Sequence, residues 1–407
     1  VKYERGNYRM EIKKEMRNAH DLVIVSMEYW DDIWRRSQFI ADGIATTSPH
    51  SKVLFVELSR HILKSRLLSP MNRVSRPFGA FDNLHVFKPV HLFSWDSEKG
   101  GKINEISLCK QICRTVRHLG MHHPVLWINL HDAWKLPTIC SNSGVIYDIT
   151  DDWTANDQPA TKRDRVMQMD RTLCETADLV VVCSRKLLND KASACQRIAL
   201  IPNGVEVDKY RDVSSETPNP RWKKGELPRP ILGYTGTLHT DRLDVSLLCD
   251  IAERNPTASV VLLGPCYLGA DHLRKLKSYP NIHIFPPVAY AHIPIIMRDI
   301  DCYIVPHLVN DFTESLNPLK LWECLACGKP VVSTHVAGFS DYPELVYLAN
   351  TADEFANQIQ VALNEASCMR NLRIDVAEQN SWVSRVQHIQ NLIESVVRER
   401  NAENVRT

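Results

Sequence analysis

Short runs of β-branched and other apolar residues recur along this chain, spaced so that one helix fits between each pair. That rhythm restricts the fold more than any other feature. In the first half the runs are 22-LVIVSM-27, 52-KVLFVE-57, 84-LHVFKPV-90, 125-VLWINL-130, 144-GVIYDIT-150 and 179-LVVVC-183. In the second they are 231-ILGYTG-236, 260-VVLLG-264, 282-IHIFP-286, 302-CYIVP-306 and 330-PVVST-334. Such runs suit strands covered on both faces in a parallel sheet. The stretches 102–118, 161–176, 243–254 and 352–366 read as helices between them. The alternation predicts an α/β, doubly wound fold.

At 407 residues the chain is long enough for more than one core. A polar stretch with four prolines, RDVSSETPNPRWKKGELPRP, follows IALIPNGVEVDKY and reads as a connection. The expected division is 1–203, 204–380 and a C-terminal helix over 381–407. Two Rossmann-like sheets would then face each other, with ligands beyond the carboxyl ends of their strands.

A formal net charge of +1 argues against a protein built to grip nucleic acid. The twelve cysteines are scattered. Cys324 and Cys327 form a C-x-x-C with no second pair to complete a zinc site, so buried thiols in a reduced compartment are the expectation. No apolar run approaches the roughly 18–20 residues that span a bilayer. The N-terminal stretch is polar and charged, without a signal-peptide core, which points to the cytoplasm.

The segment 315-SLNPLKLWECLACGKPVVST-334 poses a specific problem. Asn317 reads as an N-cap, Pro318 as the first helical residue and Gly328 as the stop before a short strand. Lys320 then sits in the first turn, where the macrodipole disfavours a cation. An anion bound at the helix N-terminus would justify it. Glu323, three residues on, shares its face; a simple surface ion pair is the alternative.

IPNGVEVDKY, ILGYTGTLHTD, VVLLGP, PLKLWECLACGKPVVST and SWVSRVQHIQNLI occur in the order found in GT-B glycosyltransferases, two-domain enzymes that use nucleotide sugars. The chain resembles that family over most of its length. It looks closest to bacterial transferases of the teichuronic-acid and xanthan glucuronosyltransferase type, which also carry Y-x-x-x-D, here Tyr147 to Asp151. The resemblance implies a nucleotide diphosphate beside Lys320 and a ribose on Glu323. It places Gly236, Thr237 and Leu238 near the donor phosphates, Val288 against the base and His307 on the donor. Pro318 and Leu319 carry over as donor-side positions, although Leu319, Trp322 and Ala326 form an apolar stripe suited to packing. No cofactor or metal is implied.

The sequence departs from many retaining members at two places. Ser315 stands where they have a glutamate, and only Arg242 stands where they have a basic pair. Both departures lean toward an inverting reaction, which needs a base for the acceptor hydroxyl. The carboxylates of YDITDDWTAND follow a strand, and by the family match Asp151 is that base. Asp152 is the alternative, Asp148 faces its own sheet, and a capping role for the cluster stays open. Trp34 and Arg36, in 28-EYWDDIWRRSQFIADGIA-45, line the acceptor site by the same resemblance, or form the solvated edge of an amphipathic helix.

Residues 58–81 contain no Asp or Glu and interleave Arg60, Lys64, Arg66, Arg73 and Arg76 with apolar side chains. Such a stretch suits an anionic lipid surface, consistent with a peripheral enzyme at the inner membrane face, or is a solvated charged face. The reading is a glycosyltransferase moving a sugar from a nucleotide diphosphate, UDP first, to a polysaccharide, glycolipid or natural-product acceptor. A retaining transferase is the near alternative. An NAD-dependent oxidoreductase would need a G-x-G-x-x-G that the chain lacks. A two-lobed sugar-binding protein usually implies export, against which the free cysteines count.

Overall fold

The computed structural model describes residues 20–63, 74–77, 81–151, 160–211, 213, 217–223, 225–315 and 317–406. The expected runs form two sheets with helices between their strands. Among the described residues ten strands precede residue 201: β1 (Leu22–Val25), β2 (Val53–Val56), β3 (Arg60–His61), β4 (Val74–Ser75), β5 (Leu84–Phe87), β6 (Val90–His91), β7 (Val125–Ile128), β8 (Gly144–Ile149), β9 (Leu179–Val182) and β10 (Ile198–Leu200). Six follow residue 230: β11 (Ile231–Thr235), β12 (Ser259–Leu263), β13 (Ile282–Phe285), β14 (Cys302–Val305), β15 (Val331–Ser333) and β16 (Tyr347–Leu348).

The first sheet runs β10-β9-β8-β7-β1-β2-β5-β4, and the second β13-β12-β11-β14-β15-β16. All their pairings are parallel except β4 with β5. Strand order reverses between β1 and β7 in one sheet and between β11 and β14 in the other. Those are the switch points outside which such sheets bind ligands. The apolar character of the strands follows from this layout: every residue of β1, β2, β7, β8, β9, β11, β12 and β14 is buried.

The helices form where the sequence supplies caps. Asp244 accepts from the Leu247 amide at 2.9 Å and starts Val245–Arg254. The helix Leu319–Ala326 closes as expected: Gly328 has φ +64°, its amide bonds Leu325, and Lys329 bonds Cys324, a Schellman ending. Its start differs from expectation. The N-cap is Pro318, with no side-chain cap, because the Asn317 carboxamide is held elsewhere.

The last helix, Trp382–Arg406, returns to the first sheet and packs on the helix Arg36–Thr47. Gln390 donates to Thr47 and Ser48 at 2.8 and 2.9 Å, and Arg400 pairs with Asp178 at 2.6 Å. The chain crosses between the sheets twice, side by side. Val205 and Ser381 form a parallel bridge, and a Cβ on Gly204 would lie 2.9 Å from the Trp382 nitrogen.

The helix Arg36–Thr47 is fixed to the sheet by a buried ion pair. Arg36 is 4% exposed and Asp148, on β8, is fully buried. The guanidinium donates from Nε and Nη2 to that carboxylate at 3.0–3.2 Å, and Trp127 adds an indole N–H at 3.1 Å. Removing one partner strands the other charge in the core. Arg36→Leu should cost about 3–5 kcal/mol in chemical denaturation; a loss below about 1 kcal/mol would show that Asp148 finds compensation elsewhere.

Candidate functional site

Gly236 ends β11 with φ +143°, a backbone conformation that disfavours any side chain. A Cβ there would lie 2.1 Å from the Lys320 Nζ, so the ammonium rests directly against this turn. Gly264, after β12, is equally constrained: its Cβ would meet the Gly236 carbonyl at 2.1 Å. The Lys320 ammonium lies 4.7 Å from the Tyr234 ring centroid, and among the described residues no carboxylate comes within ion-pair distance of it. Burial, with Arg242 adding to it, pulls its pKa down to about 8 despite the Glu323 charge.

His307 follows β14, is 6% exposed and meets the Tyr234 hydroxyl through Nε2 at 3.2 Å. Burial, then the Lys320 and Arg242 charges, lowers its pKa to about 3, so it works as a neutral imidazole. Glu323 lies one turn along the helix from Lys320. Its Oε1 accepts from the Tyr210 hydroxyl at 2.9 Å, and Tyr210 also reaches the Tyr290 hydroxyl at 3.1 Å. Burial raises the Glu323 carboxyl, opposed by Lys320 and by this hydrogen bond.

On the first sheet Asp151 stands just past β8, half-buried, with Thr150 Oγ1 donating to it at 3.2 Å. Burial pushes its pKa up, Asp148 adds to the rise, and the Arg242 charge of the second sheet opposes it. Asp151 and Arg242 therefore feel each other across the cleft. Arg242 is steadied by Asp241 at 2.9 Å and lies 5.2 Å from the Phe312 ring.

The structure thus brings Gly236, Lys320, Glu323 and His307 into one neighbourhood, with Asp151 facing it through Arg242. Thr237 is half-buried beside them, its carbonyl accepting from the Tyr234 hydroxyl at 3.3 Å. Pro318 begins the helix, and Leu319 packs on the core beside it. Val288 is half-buried after β13 and leans on the same core. Leu238 is fully buried, so only its backbone is available to a ligand. Trp34 belongs to an aromatic cluster with Trp30, Phe39 and Tyr290, and Arg36 is turned inward onto Asp148. Arg36 has no solvated edge to offer an acceptor. Asp152 lies outside the described residues.

Of the basic stretch, Arg60 pairs with Glu57 at 3.1 Å, Arg76 pairs with Asp82 at 2.9 Å and Leu63 is exposed; Lys64, Arg66 and Arg73 lie outside the described residues. All twelve cysteines are free, and Cys324 and Cys327 are buried. Among the described residues no helix is long and apolar enough to cross a membrane, and no group of His, Cys, Asp and Glu is arranged to hold a metal.

Residues 229–365, which contain β11 to β15 and the Lys320 helix, match the family model described as glycosyl transferases group 1. Within that stretch the chain is similar to the group 1 glycosyltransferases, and its two-sheet fold is GT-B. TuaH of Bacillus subtilis, named as a teichuronic acid biosynthesis glycosyltransferase, is 26% identical over 229 residues, 53% of this chain. The match spans 56% of that relative's length. Sucrose-phosphate synthase from Thermosynechococcus elongatus superposes with a TM-score of 0.70 at 14% identity, over 92% of this chain and 98% of that one. HepE of Anabaena, solved with UDP and glucose, gives 0.66 at 16%, over 92% and 100% of the two chains.

Three side chains of this GT-B cleft were not singled out in the sequence, although Tyr210 and Tyr234 lie in the stretches IPNGVEVDKY and ILGYTGTLHTD. Tyr234 and Tyr210 are the ring and the hydroxyl that hold Lys320 and Glu323 in place. Glu28 lies just past β1, at a strand's carboxyl end, and that position was its only signal. Its Oε2 is buried without a hydrogen-bond partner, and Oε1 is 3.7 Å from Arg35. Burial raises its pKa from 4.5 to about 7; Arg35 opposes the rise, while Asp151, Asp31 and Asp148 add to it. Between those values the folded state binds a proton that the unfolded state releases, so this group makes the fold less stable as pH rises through the window. A tenfold change in proton affinity corresponds to about 1.4 kcal/mol, and partial exposure discounts the total for Glu28 to about 1–3 kcal/mol. Glu28→Gln should gain that much over the wild type at pH 8 and little at about pH 4 in denaturation curves; equal gains at both values would refute the raised carboxyl.

Proposed function

We propose that the protein transfers a sugar from a nucleotide diphosphate, UDP in the first instance, to a hydroxyl of a carbohydrate or lipid-linked acceptor. The observation that carries this reading is Lys320. Its ammonium lies against Gly236 without a carboxylate partner, in the first turn of a helix that no side chain caps. Helix amides and a desolvated cation together favour a diphosphate. The UDP and UDP-glucose named with HepE, and the UDP-2-fluoro glucose named with an Escherichia coli trehalose-6-phosphate protein, support a UDP donor. The teichuronic acid role named for TuaH supports a polysaccharide acceptor.

In this reading residues 204–380 hold the donor and residues 1–203 the acceptor, with 381–407 returning to the acceptor side. Glu323 accepts from the ribose hydroxyls, and His307 meets the donor as a neutral imidazole. The Asp151 carboxylate takes the acceptor proton as its oxygen attacks the anomeric carbon. The bond from that carbon to the β-phosphate oxygen breaks, and the diphosphate leaves with its charge facing Lys320 and the helix amides. The anomeric centre inverts. Titration with UDP, GDP, dTDP and NAD, read as protection against thermal unfolding, tests the donor class; protection by NAD alone would refute it.

Lys320→Ala should weaken nucleotide binding by about 1.5–3 kcal/mol, the worth of one charge-assisted hydrogen bond, with the fold intact. Only the charged ammonium attracts the diphosphate, so wild-type affinity should fall as pH rises through about 8. The variant should lack that limb. Calorimetry from about two units below that value to about one above checks both, and identical affinity in the two proteins would remove Lys320 from the site.

Asp151→Asn should keep donor affinity and lose about 10²–10⁴-fold in turnover. Product configuration read by NMR decides the role of the carboxylate. An inverted product from a nearly fully active variant would move the base elsewhere, and a retained product would remove the need for one.

A further inference from the structure

Asn317 immediately precedes the donor-side helix, and asparagine is among the best residues for capping helix amides. Here its side chain does something else. Its Oδ1 accepts from the Asn203 backbone N–H at 2.8 Å and from the Trp322 indole at 3.4 Å. Its carbonyl accepts from Asn203 Nδ2 at 2.5 Å. Asn203 lies where the chain first crosses between the sheets, next to Gly204. On its other side the Asn203 Oδ1 accepts from Arg36 Nη1 at 3.2 Å, and Arg36 is the partner of Asp148. One line of hydrogen bonds thus runs from β8 of the first sheet through the crossing to the residue before the Lys320 helix.

We propose that Asn203 is a positioning residue for the donor site: it holds Asn317 off the helix amides and sets that helix against the first sheet. Two features make it more than a local contact. Its carboxamide is used at both ends, oxygen toward Arg36 and nitrogen toward Asn317, so it is oriented by both sheets at once. The group it restrains is the residue best suited to occupy the amides that a diphosphate would use. Loss of the Asn203 side chain removes the donor to the Asn317 carbonyl and the acceptor for Arg36 together. The Asn203 backbone N–H still holds the Asn317 Oδ1, but the chain entering the helix loses its anchor and the helix its fixed approach to the cleft. This inference rests on the reading of the helix as a nucleotide diphosphate site.

The test is a double-mutant cycle read by UDP calorimetry, with thermal melts of each protein alongside. Asn203→Ala should weaken UDP binding by about 5–20-fold, although Asn203 is assigned no contact with the nucleotide. Asn317→Ala should act in the same range, and the double variant should be no weaker than the worse single one, since both act through one connection. Singles whose effects multiply would make the two residues independent and overturn the proposal. So would a lower melting temperature with unchanged UDP affinity, which is the result of a merely structural role. If Asn203→Ala does not fold, the isosteric Asn203→Asp keeps an oxygen for Arg36 and loses only the Nδ2 donor to the Asn317 carbonyl, and it should show the same loss for UDP. A wild type that binds none of UDP, GDP or dTDP overturns the donor reading itself, whereas a wild type that binds beside unaffected variants overturns only the role of Asn203.

Discussion

The buried pair of Arg36 and Asp148 is the constraint on which the arrangement of the cleft rests. A carboxylate and a guanidinium with almost no solvent exposure persist only when their hydrogen bonds are satisfied, and here Trp127 and Asn203 supply the remainder. The pair fixes the helix after β1 to β8, the strand that leads to Asp151. It also leaves one guanidinium N–H to reach the chain crossing. A hydrophobic substitute of similar volume would pack as well but would define neither connection.

Charge in the cleft is divided by sheet. The second sheet contributes cations, Lys320 and Arg242, along with a histidine that burial keeps neutral, with those cations adding to the effect. The first sheet contributes carboxylates at its strand ends, Glu28 and Asp151, which burial drives toward protonation. Each side is electrostatically uncomfortable alone. In the proposed reaction the donor diphosphate would give the ammonium an anion, and the acceptor hydroxyl would give the carboxylate a proton donor.

The sheets were legible from the sequence because parallel strands buried on both faces must be continuously apolar, and the runs in this chain are. The two-residue β16 and three-residue β10 escaped notice, since pairing rather than composition makes them strands. Lys320 was legible because it violated a local rule at a helix start. Asn317 was misread for the complementary reason. Its local preference to cap was overridden by Asn203, a residue 114 positions away whose partnership no pattern encodes. Arg36 looked like part of a polar edge until β8 supplied the carboxylate that draws it inward. Tyr210 lies 113 residues from Glu323, and only the folded chain brings them together.

Val205 and Ser381 bridge where the two crossings run side by side, with no room for a side chain at Gly204 between them. Any residue larger than glycine at 204 would press on the Trp382 backbone and part the two connections at the one place where their backbones meet.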